Sequence, residues 1–343
     1  MPPRPPSAPA PPSIRGYGPS VNPSRASTRL LGDLAVIRSL HHETDDEVVV
    51  VVLQRALATG HFSVVAAAAE LAADRELAQL HPPLISAWER LYVNAREADP
   101  SCTGKWACAA ALDKLECADR APFERGATYI QMQPSFPTPE DTASGLRARC
   151  VLALARLGGL DALMTIAVAL SDTHDQVRSA AATGLAFTGE AAAAAMALQK
   201  ILALDPEPAV TADALGSLIA LRPAEGLACA ARLLDGEDRD LPQCIVLVLG
   251  HSGQDGAVPL LVRESERAGT VAYRKAVFVA MGLLRSVASK AALLSIVRTG
   301  PLSDARFAIA ALATQSHSDA MRAAVIEAAA GRDLDQVVES SFA

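Results

Sequence analysis

Aromatic side chains are scarce in this chain of 343 residues, at 4% of the total, with only two tryptophans, four tyrosines and seven phenylalanines. Half of the residues are nonetheless apolar, and the mean hydropathy is +0.22, so the apolar mass is carried by small aliphatic side chains. Alanine alone supplies roughly one residue in five, a composition that favours helices packed closely on helices. The six cysteines, Cys102, Cys108, Cys117, Cys150, Cys229 and Cys244, form no C-x-x-C pair, and four of them sit in alanine-rich helical patterns. They read as reduced, mostly buried thiols of a cytoplasmic protein. Long hydrophobic runs are missing too. Val48 to Leu53 is the longest run of valine and leucine, far too short to cross a bilayer, and the N-terminus MPPRPPSAPAPP has no apolar leader segment. Neither membrane insertion nor export is expected. Nor is there an excess of basic charge: the net charge of −7 argues against a surface that wraps nucleic acid by neutralising phosphates.

The charge is unevenly placed. Residues 1–29 hold Arg4, Arg15, Arg25 and Arg29 and no acid, so −7 overall less +4 here leaves −11 on the rest. Residues 1–27 also hold nine of the 22 prolines, a density that removes backbone donors and forbids a packed core. This segment is expected to be a disordered, polyproline-leaning tail that acts as a spacer; its P-x-x-P matches beside Arg4 arise readily by chance.

From Thr28 onwards apolar residues fall at helical spacing, punctuated by Gly and Pro, and no stretch alternates in the manner of a strand. The segments beginning at Leu146, Val177, Val210, Leu241, Tyr273 and Ala305 align at spacings of 31, 33, 31, 32 and 32 residues. Within each, the first, fifth and ninth positions are apolar: Leu146, Cys150 and Leu154 in the first, Val177, Ala181 and Leu185 in the second, and so to Ala305, Ile309 and Ala313, where Leu312 fits as well with a one-residue shift. Steps of four put those side chains on one stripe of a helix. A second amphipathic segment lies between consecutive anchor segments, so each unit is a helix pair. Neither helix can bury its stripe alone. The pairs must stack, and the predicted fold is all-α: an α-solenoid with a core that runs along its axis. The expected organisation is a tail over 1–27, irregular helical repeats over 28–140, regular repeats over 141–330 and a C-terminal tail over 331–343.

The pattern of Asp172 followed by VRSAAATGLAFTG resembles a HEAT repeat of the short bacterial kind also found in phycobilin lyases. The resemblance covers residues 141 to about 330, with weaker versions at EVVVVVLQRALATG and GKWACAAALDKLE, and the middle segment is similar to one in uncharacterised bacterial HEAT-repeat proteins. It implies a protein-binding scaffold or assembly factor more often than an enzyme. The expected docking surface is the concave face, lined by the second helix of each pair, the one between anchors.

Arg147, Arg178, Arg274 and Arg306 occupy the same place in their units, one residue after the first anchor, while Thr211 and Pro242 interrupt the series. Asp141, Asp172, Asp205 and Asp235 fall near the turns. The resemblance implies a ladder of salt bridges and caps between repeats; the alternative is a basic track that grips an acidic partner, which makes the four arginines the candidate partner-binding residues. A second candidate cluster combines Trp88, Cys102, Lys105, Trp106 and Gln131, since a lysine can lower a thiol pKa and the few aromatics concentrate between 88 and 136. Those aromatics, with Tyr92, Tyr129 and Phe136, are expected to fill a gap between irregular repeats. The cluster is where a lyase-like enzyme that clamps a protein substrate would place its chemistry. A DNA glycosylase of HEAT-like build is a third reading, disfavoured by the acidic charge. His41-His42-Glu43 is the one His-Glu dipeptide, against several in deoxyhypusine hydroxylase, and the remaining histidines are dispersed, so neither a metal nor another cofactor is expected. Walker A, G-x-S-x-G and strand-led G-x-G-x-x-G motifs are absent. The expected partner is a protein, neither membrane nor nucleic acid.

Overall fold

The computed structural model describes residues 25–343 apart from 60, 237 and 239, so the proline-rich stretch before Arg25 lies outside the described residues. Helices follow one another almost without interruption. The N-terminal part holds α1 (Arg25–Ser39), α2 (Asp46–Leu57), α3 (Phe62–Asp74), α4 (His81–Leu91), the single turn α5 (Ala95–Ala98), α6 (Thr103–Lys114) and α7 (Ala121–Ala127). A two-residue antiparallel ladder follows, β1 (Met132–Gln133) against β2 (Glu140–Asp141), with Met132 opposite Asp141. The regular part holds α8 (Ser144–Leu157), α9 (Leu160–Ala169), α10 (Asp175–Gly184), α11 (Ala193–Ala203), α12 (Pro208–Leu221), α13 (Pro223–Leu234), α14 (Leu241–His251), α15 (Val258–Arg267), α16 (Val271–Leu283), α17 (Val287–Thr299), α18 (Leu302–Gln315), α19 (Asp319–Ala329) and α20 (Asp335–Ser341).

The helix starts are written in the sequence. Asp45, Thr270, Ser286 and Ser318 accept a backbone N–H of the first turn of α2, α16, α17 and α19. Proline opens α12 and α13 and stands second in α14, where its missing N–H costs nothing. The predicted seam is present: every anchor from Leu146 to Ala313 is buried except Tyr273, which is half-buried, and Leu312 is fully buried alongside Ala313. The fold is an all-α solenoid.

One layer is a continuous stack, α8 on α10, then α12, α14, α16 and α18, preceded by α1, α3 and α6. The intervening helices pack chiefly on these rather than on one another. The reason lies in small residues. A Cβ added to Gly184 of α10 would stand 3.1 Å from Ala155 Cβ of α8, one on Gly250 of α14 would stand 2.7 Å from the Ala280 backbone of α16, and one on Gly282 of α16 would stand 3.1 Å from the Ala311 carbonyl of α18. Neighbouring anchor helices thus approach one another at backbone distance.

Two further differences concern the ends of elements. The segment from Gln131 to Asp141 is a small hairpin, although no stretch of the sequence reads as a strand. Residues 331–343, expected as a tail, carry α20, and Leu334, Val338 and Phe342 are buried against the last pair. His41 and His42 form a short helical turn, and Glu43 accepts the backbone N–H groups of Thr44 and Asp45.

Candidate functional site

The middle of the molecule is organised around a buried carboxylate, Asp99. It accepts the backbone N–H groups of Gly104 (3.1 Å) and Lys105 (2.9 Å), so it caps α6 from five residues upstream, and Cys102 takes a left-handed conformation (φ 56°) to let the chain turn. The Lys105 ammonium, fully buried, donates to Asp99 at 3.1 Å and faces the rings of Tyr92 and Tyr129 at 5.5 and 5.8 Å from their centroids. The Gln131 amide donates to the carbonyls of Asp99 and Pro100, both at 2.9 Å, and its oxygen accepts the Tyr129 hydroxyl at 2.9 Å. Thr142 donates to Pro100 at 2.9 Å. The turn between α5 and α6 is thus tied to the hairpin. Trp88, Tyr92 and Tyr129 pack in series, the first pair tilted and the second edge-to-face, with centroids 5.4 and 4.7 Å apart.

The structure brings Trp88, Cys102, Lys105 and Gln131 together and leaves Trp106 out: its indole is partly exposed, beside the Arg149 guanidinium at 5.4 Å. Phe136, expected in the same gap, is 97% exposed at the hairpin tip. Burial pushes the Cys102 thiol up despite the nearby Lys105 charge, and pushes Cys108 up to about 12. As folded, Cys102 and Lys105 present nothing to solvent, and a thiolate is disfavoured. Asp99 and Thr142 are as central to this network as the residues singled out from sequence. No spacing signals them, because α5, α6 and the hairpin meet only in the fold.

The network continues into the arginine series. Asp141 accepts from the backbone of Gln131 (3.1 Å) and Ala143 (3.0 Å) and from Arg147 (2.7 Å). Arg147, 3% exposed, also holds Asp172 through two bonds of 2.9 and 3.1 Å. One repeat on, Arg178 holds Asp205 through two bonds of 2.8 Å, and Lys200 joins at 2.7 Å. Burial raises the Asp205 carboxyl, but the hydrogen bonds from Arg178 and Lys200 outweigh it and hold the group well below the usual carboxylate range. Asp141 and Asp172 are lowered in the same way by Arg147. Arg274 pairs with Asp304 at 3.2 Å. Asp235 leaves the series: with Pro242 in the arginine position, it pairs with Arg263 and Arg267 on α15. Three of the four repeated arginines therefore hold turns together, whereas Arg306 is exposed with no ion pair among the described residues.

Two grooves open beside this framework. The larger, about 1100 Å³, lies between the hairpin and α9. Ile130, Met132 and Phe136 form one wall and Met164 and Val168 the other, with exposures of 63, 39, 97, 61 and 72%. Asp141, Arg147, Asp172 and His174 line its polar end. The smaller, about 620 Å³, crosses α10, α12 and α14 on the anchor layer, with Ala212, Gly216 and Ala220 among its lining and Phe187 and Leu247 beside them. Among the described residues no three His, Cys, Asp or Glu side chains gather as a metal would need, and no helix is long and apolar enough to cross a membrane.

Residues 140–219 match the family model described as HEAT repeats. No curated protein matches the chain. Among solved structures, the crystal structure of an engineered protein aligns over 84% of this chain and 86% of its own, at 16% identity and a TM-score of 0.31. The matched stretch spans α8 to α12, where the arginine ladder and the buried seam lie, and the helix-pair stack runs on beyond it: the chain is an all-α solenoid of which residues 140–219 are similar to HEAT repeats.

Proposed function

We propose that this protein is a non-catalytic protein-binding scaffold, and that the groove between the hairpin and α9 is its principal docking surface. The observation that carries this is the row of large apolar side chains held in the open there. Ile130, Phe136, Met164 and Val168 are all more than half exposed, on elements fixed from beneath by the Asp141–Arg147–Asp172 bridge. Apolar area concentrated in one cleft with a polar rim is the surface a partner covers. A phenylalanine exposed at a hairpin tip suits an anchor that enters a pocket on the other protein. The ladder serves this role indirectly, by holding the repeats in register. Arg306, without a carboxylate partner among the described residues, is the one member of the series placed to meet an acidic partner directly.

The test is a double variant, Phe136→Asp with Val168→Asp, compared with the wild-type chain by affinity purification from the source cells. Both side chains are exposed, so the fold is expected to survive, as circular dichroism would check. Loss of the specifically enriched proteins supports the assignment. An unchanged partner set with the fold intact removes this groove as the docking surface.

A further inference from the structure

We propose that the smaller groove, across α10, α12 and α14, is a binding site for a small organic cation: an apolar amine or guanidine whose charged end is held by the Asp213 carboxylate. It is separate from the groove between the hairpin and α9 and does not rest on the docking role given to that one.

Asp213 stands apart from the acids of the ladder. Asp172, Asp205 and Asp304 each have an arginine from the preceding repeat as partner. Asp213 is half-buried, and among the described residues it has no ion pair and one hydrogen bond, accepted from the Ser179 hydroxyl of α10. Burial raises its carboxyl and the Ser179 bond offsets only part of that, whereas the arginine bonds outweigh burial at Asp172 and Asp205. The repeat does not call for a carboxylate here. Asp213 falls three residues after the anchor Val210, and the equivalent places on α10, α14, α16 and α18 hold Ala180, Cys244, Ala276 and Ala308. Arg149 of α8 is the one other charge at this register, and it has Asp113 beside it at 3.4 Å. A carboxylate withdrawn from water without a cation is costly, and a ligand that brings the positive charge removes that cost.

The rest of the groove selects what carries that charge. Its volume of about 620 Å³ lies within the range of about 300–1,000 Å³ usual for small-molecule sites, and Asp213 is the only Asp, Glu, Lys or Arg among its described lining residues. Ala212 and Gly216 give α12 a floor with little side chain: a Cβ added to Gly216 would meet only Val248, at 3.5 Å. Phe187 and Leu247 add exposed apolar surface beside it. A peptide is the poorer occupant, because each of its backbone N–H and C=O groups needs a partner. No Asn, Gln, Lys or Arg is among the described lining residues, and the hydroxyls of Ser217 and Ser252 are spent on the carbonyls of Ala182 and Leu249, both at 2.6 Å. Thr183 and His251, beside Asp213 itself, are left to serve a whole backbone. One charged end on an apolar body leaves nothing polar unpaired.

Cys244 supplies the reporter: it lines this groove and is the only one of the six cysteines that is not buried. Its alkylation in the full chain by iodoacetamide, a neutral reagent, is followed by mass spectrometry as phenethylamine is titrated, with phenethyl alcohol and phenylacetate as neutral and anionic probes of similar shape. A bound cation would by charge alone favour the thiolate and speed the reaction, so slowing reports occlusion. The amine is expected to half-protect Cys244 at about one-tenth of the concentration the alcohol needs, the factor a charge-assisted hydrogen bond supplies, and the anion is expected not to protect. Asp213→Asn keeps the shape and removes the charge, and should bring the amine to the level of the alcohol. Gly216→Leu fills the floor, and should abolish protection by both while circular dichroism shows the fold intact. Equal protection by amine and alcohol overturns the assignment, as does an amine response unchanged in Asp213→Asn or the absence of protection by any probe. Protection by the capped peptide AFKFA at about one-tenth of the amine's concentration or less overturns the small-molecule reading in favour of a basic side chain on a partner.

Discussion

Lys105 shows how much a single buried residue can be asked to hold. Its ammonium and the Asp99 carboxylate are both fully buried, and the same carboxylate caps α6, so the pair joins that cap to the rings of Tyr92 and Tyr129. Lys105→Met leaves an uncompensated buried carboxylate. The expected cost is about 3–5 kcal/mol, the range found when one partner of a buried pair is removed. Urea unfolding would check it, and a change within 0.5 kcal/mol would mean that water reaches the site. The residues of this cluster could be picked from the sequence because charge and aromatics are scarce around them. Their role could not. Lys105 reads as an activator of Cys102 in one dimension, and only the fold shows it turned away from solvent onto Asp99. The same holds for the arginines: their spacing was legible, but whether a guanidinium faces a partner or a carboxylate of the following turn depends on contacts 25 to 30 residues apart.

Elements meet here at backbone distance, and the glycines and alanines that lower helix propensity or fill space poorly are what permit it. Gly250 of α14 sits against Ala280 of α16 with no room for a side chain. Gly250→Val would force these helices apart, with an expected loss of about 1–3 kcal/mol or more and a lower melting temperature. A neutral result would show the stack to be looser than drawn. The ladder gives the elements a pH dependence with a definite sign. Asp141, Asp172 and Asp205 titrate below their ordinary value in the folded chain. Their contribution is therefore complete above the unfolded pKa of about 3.9 and is lost as pH falls towards the lower folded values. Melting temperature should stay level from pH 7 to 5 and drop below about pH 4. In Arg178→Gln that drop should be shallower, because Asp205 keeps less of its shift; an identical profile would remove the bridge from the stability of the stack.

A molecule built as a stack has local stability, since each pair is covered only by its neighbours. The last pair is closed by α20, through Leu334, Val338 and Phe342. Deleting residues 331–343 uncovers those apolar seams, at about 1.5–3 kcal/mol for each buried side chain. Hydrogen exchange should then quicken in α18 and α19 while α8 and α10 are unchanged; uniform acceleration along the chain would show that it unfolds as one cooperative unit instead.

The sequence by itself determined the repeat, its period near 32 residues and the stripe each anchor helix buries, because helical periodicity and the need to cover an apolar face are local properties of the chain. Only the tertiary structure decided where the arginines point, and that Phe136 stands exposed while Lys105 is enclosed. Those outcomes depend on how closely two helices can approach and on which groups from distant turns arrive at the same place, and neither is encoded in the spacing of residues along one helix.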